Sequence, residues 1–200
     1  MSNLLAERLF DAADDNDWPG ARRCLCFGAP PDSLNKGGET IAEIFIRQKN
    51  WEAVSAILAD YPQTFTPDLP PEEYHRCILQ FMTSHMDDSP EANAAFIAVA
   101  KRFPDMLFEK IPHGGTALLN LVANPNCGEA IFTVAEALPQ VKTTPWVFCK
   151  AAMRNRYFLP RLIQAGFAQP TDAFFEEHKR CLAPEQIRVI KRRLAAVNAS

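Results

Sequence analysis

Gly38-Glu39-Thr40-Ile41-Ala42-Glu43-Ile44-Phe45-Ile46-Arg47-Gln48-Lys49-Asn50-Trp51-Glu52-Ala53-Val54-Ser55-Ala56-Ile57-Leu58-Ala59-Asp60-Tyr61-Pro62 is the stretch that decides the fold. Gly37 and Gly38 permit a tight turn. Thr40 then offers a side-chain oxygen to the free amides of a first helical turn. Apolar residues recur from there at helical spacing. Residues 51–58 form a second amphipathic stretch, and Tyr61-Pro62 stops it, because proline cannot continue a helix.

Both signals recur. Gly115-Thr116 opens another helix in the manner of Gly38-Glu39-Thr40. The stop phrase Ala59-Asp60-Tyr61-Pro62-Gln63 returns as Lys101-Arg102-Phe103-Pro104-Asp105 and as Ala137-Leu138-Pro139-Gln140. Each follows an amphipathic stretch, at residues 51–58, 94–100 and 130–135. The spacings are uneven, which marks degenerate repeats with insertions. Almost nothing alternates with the period of two that a half-buried strand requires. The chain is expected to be all-α.

These residues resemble the ankyrin repeats, whose 33-residue unit is a turn and two antiparallel helices. Gly38 and Thr40 match the opening of the family pattern, and Ala42, Phe45 and Ile46 fill its first-helix apolar positions. Glu52, Val54, Ile57 and Leu58 match the second helix, with Asn50 where the family has Gly-His. The preceding unit keeps phase: Ala12 and Ala13 match the Ala pair, Ala21, Cys24 and Leu25 the second helix, Gly28-Ala29 the Gly-Ala ending. Ala12 to Phe45 and Gly28 to Tyr61 are both 33 steps. The likeness is good over residues 4–62, returns weakly over 114–139 and 149–167, and is nearly lost over 72–103. Ile41 and Glu43 replace the family's Pro and His, so its Thr–His hydrogen bond between units is missing.

The resemblance implies one helical-repeat solenoid over residues 1–200. Its units are approximately 4–35, 36–69, 70–110, 111–142 and 143–170, with a C-terminal cap at 171–200. A lone helix pair cannot bury its apolar face, so stacked neighbours share one core and the ends need caps. The cap reads as a helix over 171–181, with Thr171 as N-cap, and a second starting at Pro184. Ile187, Ile190, Leu194 and Val197 form an apolar stripe on that second helix, and Arg188, Lys191, Arg192 and Arg193 face the other way.

Composition narrows the function. The 200 residues carry a net charge of −3, with 48% apolar and 22% charged residues, which excludes a disordered chain. A duplex-binding domain carries a basic stripe, so nucleic acid is not the expected partner. No apolar run is long enough to span a membrane. Residues 1–15 lack the basic-then-apolar order of a secretory signal. Six cysteines then read as reduced thiols, four of them (Cys24, Cys77, Cys127, Cys149) among apolar neighbours. The expected location is the cytoplasm, with export into a host cell as the effector variant of that reading.

Chemical motifs are weak. Cys24-x-Cys26, His75-x-Cys77 and His178-x-x-Cys181 lack the paired spacing of a zinc site, so no metal is expected. No Gly-x-Ser-x-Gly elbow occurs, and no Lys-Ser/Thr follows Gly37-Gly38 or Gly114-Gly115, so neither a nucleophile nor a phosphate loop is read. Glu72-Glu73, Asp87-Asp88 and Glu176-Glu177 are sequence neighbours, which do not face each other on a helix. No catalytic residue and no cofactor is assigned.

What the resemblance implies instead is a non-enzymatic module that binds another protein on a concave face. Finger tips and first-helix ends map that face to Asp14, Asp15, Lys36, Glu39, Arg47 and Gln48, and further along to His113, Asn124 and Arg154. Trp146 is the aromatic expected to anchor a partner. Trp18 and Trp51 are expected to pack between units. The irregular units look like a diverged bacterial or viral member, acting as an effector or as a regulatory or immunity protein. Another class stays open: a small helical enzyme or ligand-binding domain with a groove over residues 72–88, where His75, Cys77, His85 and Asp87 gather. A monomer is expected, with a homodimer through the stripe of the last helix as the alternative.

Overall fold

The computed structural model describes residues 2–67, 77–109, 115–127 and 129–199, and among these it contains twelve α-helices and no strand. In order they are α1 (Ser2–Asp14), α2 (Trp18–Cys26), α3 (Ile41–Arg47), α4 (Trp51–Asp60), α5 (Ile78–His85) and α6 (Pro90–Arg102), then α7 (Ala117–Ala123), α8 (Ala130–Ala137), α9 (Trp146–Arg154), α10 (Leu159–Gln164), α11 (Asp172–Glu177) and α12 (Pro184–Asn198). Glu72, Glu73, His75, His113, Gly114 and Gly128 lie outside the described residues.

Local chemistry sets where these short helices begin. Thr40 accepts from the Glu43 amide, and Glu43 returns the bond to the Thr40 amide, closing a capping box that is fully buried. Thr116 and Thr171 cap α7 and α11 through the amides of Leu119 and Phe174. Asp17, Asn50 and Ser89 do the same for α2, α4 and α6. Pro90 and Pro184 occupy the first turns of α6 and α12, where an absent N–H costs nothing.

Two kinds of helix end recur. Tyr61, Phe103 and Leu138 share one conformation, with φ of −139°, −130° and −136°. Each is followed by a proline and a 3₁₀ turn, at Pro62–Phe65, Pro104–Leu107 and Pro139–Thr143. These turns lie where the sequence reads as plain loop. By contrast, α2 and α10 end on Gly28 and Gly166, at φ of +95° and +76°, which glycine adopts without strain.

The helices associate in pairs: α1 with α2, α3 with α4, α5 with α6, α7 with α8 and α9 with α10. The first helices also contact one another in sequence, α1 to α3 to α5 to α7 to α9, and α12 then packs on α9. Among the second helices, α4 packs on α6 and α6 on α8. One core runs between these rows and includes Phe45, Phe65, Phe96 and Phe148, all essentially inaccessible. Truncating any of these to Ala costs roughly 3–5 kcal/mol.

The C-terminal segment differs from the expectation in one respect. Its first helix stops at Glu177 rather than residue 181. Over residues 176–180 only His178 packs inward, against Phe174 and Trp146, while Glu176, Glu177, Lys179 and Arg180 are exposed, so little apolar contact sustains a further turn. The stripe of α12 lies inside the chain: Ile190 and Leu194 are buried, and Ile187 and Val197 pack against the core. A homodimer through that stripe would have to displace α12 from α9.

A candidate interaction face on the first-helix row

Asp14, Arg47 and Arg154 are each the last residue of the first helix in their pair, so they emerge at one edge of the row. At the N-terminal end Arg47 joins two of the expected contact residues. Its Nε and a terminal nitrogen each donate to Glu39 at 3.2 Å, and Asp14 lies 3.7 Å away. Asn35 holds the preceding finger: its Oδ1 accepts from the amides of Gly37 and Glu39 at 2.8 and 2.9 Å. Between this finger and α1 lies a groove of about 400 Å³ lined by Glu7, Asp11, Asp14 and Lys36. Its charged groups are three carboxylates and one amine, set beside the apolar Phe10 and Leu34. Asp15 is exposed just beyond the end of α1.

Two expected contact residues face inward instead. Gln48 donates from Nε2 to the carbonyl oxygens of Ala13 at 2.8 Å and Asp14 at 3.0 Å. Asn124 donates to the Thr83 carbonyl at 2.6 Å and accepts from the Asn126 amide. Both belong to a ladder of polar bonds along the turns that join first to second helices. Asn50 donates to Asn16 at 2.7 Å, Lys49 pairs with Asp87 at 3.2 Å, and Asp88 accepts from the amides of Glu129 and Ala130. The Arg161 guanidinium pairs with both oxygens of Glu129 and lies over the Phe132 ring at 4.2 Å. This ladder links neighbouring pairs where the family's Thr–His bond is absent.

At the C-terminal end the row carries a different groove. Trp146, at the start of α9, meets Phe174 and His178 of the cap edge-on, with ring centroids 5.2 and 5.1 Å apart. One side of Trp146 opens on a cavity of about 360 Å³ lined by Phe108, Leu118, Leu119 and Cys181. The other opens on one of about 520 Å³ lined by Lys150, Met153, Arg154 and Leu182. The two share Leu119, Trp146 and Cys181, so they form one continuous trough. Phe108 and Met153 remain 42% and 37% exposed at its walls. Burial, together with the neighbouring Arg154 charge, holds the Lys150 amine below its usual pKa. Trp18 and Trp51 sit elsewhere: Trp18 packs edge-on against Phe45 at 5.8 Å, and Trp51 is buried.

The trough draws on residues that no sequence motif singles out. Phe108, Leu119, Met153 and Cys181 come from four separate segments, and no spacing rule connects them. Asn35 did carry a signal, since Asn before Lys-Gly-Gly is the pattern of a side-chain-capped turn.

The residues near 77–88 each have a separate structural partner. The Cys77 thiol donates to the Met106 carbonyl, His85 Nδ1 lies 2.9 Å from the Phe81 carbonyl, and Asp87 pairs with Lys49. Among the described residues no group of three His, Cys, Asp or Glu side chains is arranged to hold a metal. None of the described helices is long and apolar enough to cross a membrane.

No protein-family model, no curated protein and no solved structure matches this chain. The likeness to ankyrin repeats therefore rests on the chain's own residues.

Proposed function

We propose that this chain is a non-enzymatic binding module for another protein, built as an ankyrin-like solenoid of five helix pairs closed by α11 and α12. The observation that carries this reading is the first-helix row. It bears a carboxylate-lined groove beside Asp14 and Glu39 at one end and an apolar trough beside Trp146 at the other. Stacked helix pairs present extended surfaces of this kind, and partners read them by charge and by aromatic anchors.

Mass spectrometry of proteins captured by the immobilised chain tests the reading. Wild type is compared with a Lys36→Glu/Arg47→Glu/Arg154→Glu variant whose helical content is checked by circular dichroism. The reading requires a protein held by wild type and lost by the folded variant. The same captured set with both, or nothing with either, counts against it.

A further inference from the structure

Lys150 and Arg154 stand one helical turn apart on α9, at the mouth of the Trp146 trough. Among the described residues neither forms an ion pair. Two other arginines that serve the same rows behave differently: Arg47 is paired with Glu39 and Asp14, and Arg161 with Glu129. Two like charges four residues apart repel, and Lys150 is also half-buried. Among the described residues the pair has no counter-charge, and the trough beside it is of mixed polarity near Lys150, becomes apolar toward Leu118 and Phe108, and contains Trp146.

We infer that the trough is the docking site for an acidic amphipathic peptide segment of a partner protein. Its apolar anchors enter beside Trp146 and Leu119, and its carboxylates meet Lys150 and Arg154. This rests on the binding-module reading and names the chemistry of the partner. Charge complementarity selects the occupant. A basic segment would add to an unfavourable charge pair, whereas an acidic one relieves it and meets the half-desolvated Lys150 amine, where pairing is stronger than in open water, beside the exposed Arg154 guanidinium. The cavity volumes of about 360 and 520 Å³ suit side-chain anchors rather than a flat contact. The lowered pKa of Lys150 agrees with a cation that has no anion beside it.

Fluorescence anisotropy with the full chain tests this. The probe is a labelled helical peptide with Leu and Phe anchors on one face and Glu residues flanking them. Two controls replace Glu by Lys, or the anchors by Ala. The acidic peptide binds, both controls bind at least roughly tenfold more weakly, and added salt weakens the acidic complex. Lys150→Glu/Arg154→Glu reverses the preference between acidic and basic peptides. Arg154→Glu alone, at an exposed position, shifts it in the same direction should the double variant fold poorly.

Equal binding of acidic and basic peptides overturns the inference, as does acidic binding that the charge reversals leave unchanged. Self-association abolished by Asp11→Lys/Asp14→Lys also overturns it, because it would seat a second copy's α1 in the trough. If neither peptide binds while a captured protein is still lost on Lys36→Glu/Arg47→Glu, this inference falls and the binding-module reading stands.

Discussion

The Asp88 carboxylate caps a helix that belongs to the next pair: its Oδ1 accepts from the backbone N–H of Glu129 at 2.9 Å, and from that of Ala130 at 3.1 Å. Helix α8 has no N-cap side chain of its own. Its first turn is therefore satisfied across a sequence gap of 41 residues, and the Glu129 side chain continues the link to Arg161. Neighbouring pairs are tied by such bonds along their turns as well as by their shared core.

Asp88→Ala removes this cap and is expected to cost about 1–2 kcal/mol, as other helix caps do. Asp88→Asn keeps an accepting oxygen and is expected to retain most of the stability. Urea unfolding of the three proteins measures the difference. Equal midpoints for Ala and wild type would show that α8 needs no cap from its neighbour.

The Arg161 hydrogen bonds hold the Glu129 carboxyl below the usual glutamate pKa. A depressed folded pKa stabilises the folded state above the unfolded value. That stabilisation is lost as pH falls through the folded value. Between neutral pH and the region below about 4, wild type is expected to lose slightly more stability than Glu129→Gln. The pair is exposed, so the difference stays within about 1 kcal/mol and shrinks in high salt. Unfolding midpoints at the two pH values decide it, and parallel loss in both proteins would contradict the account.

Lys49 occupies left-handed backbone at φ +59°, as Asn16 does at +58° one unit earlier. Glycine adopts this region without strain, and a residue with a Cβ does not. Lys49→Gly relieves the strain and gives up only an exposed ion pair with Asp87, so a net gain of roughly 0.5 kcal/mol is expected. Lys49→Val, with a branched Cβ in that region, is expected to lose more than about 1 kcal/mol. Thermal or urea unfolding gives both signs, and a stabilising Val would refute the argument.

The six thiols fall into accessible and inaccessible sets. Cys26 and Cys181 are exposed, while Cys77, Cys127 and Cys149 are buried and Cys24 lies between. Burial pushes the Cys127 and Cys149 thiols up to about 12, so little thiolate is present at neutral pH. A thiol reagent applied to native protein is expected to modify Cys26 and Cys181 quickly and the buried three only after unfolding. Peptide mapping identifies the modified sites. Rapid labelling of Cys127 would show that the turn between α7 and α8 opens readily.

Local chemistry was legible in the sequence. Thr40, Thr116 and Thr171 announce helix starts, and Tyr61-Pro62, Phe103-Pro104 and Leu138-Pro139 announce stops, because each acts within a few residues of itself. Gln48 and Asn124 were not legible. Both read as polar tips on a contact surface, and both instead bind carbonyl groups of the preceding pair, across 34 to 41 residues. Trp146 is legible as an aromatic near a turn. Its trough is not, because Phe108 and Cys181 reach it only through folding. The early end of α11 is not legible for a related reason: Thr171 marks its start, but its length depends on what Phe174 and Phe175 find to pack against.

The most direct test of the interaction face is site-specific photo-crosslinking in a cell lysate. A photoreactive residue is placed at Met153, on the wall of the trough, and in a second protein at Thr133, exposed on α8 in the other row. The account predicts a discrete crosslinked partner from position 153, competed by excess unlabelled wild-type chain, and none from position 133. A partner trapped only at position 133, or no specific adduct at 153, would contradict it.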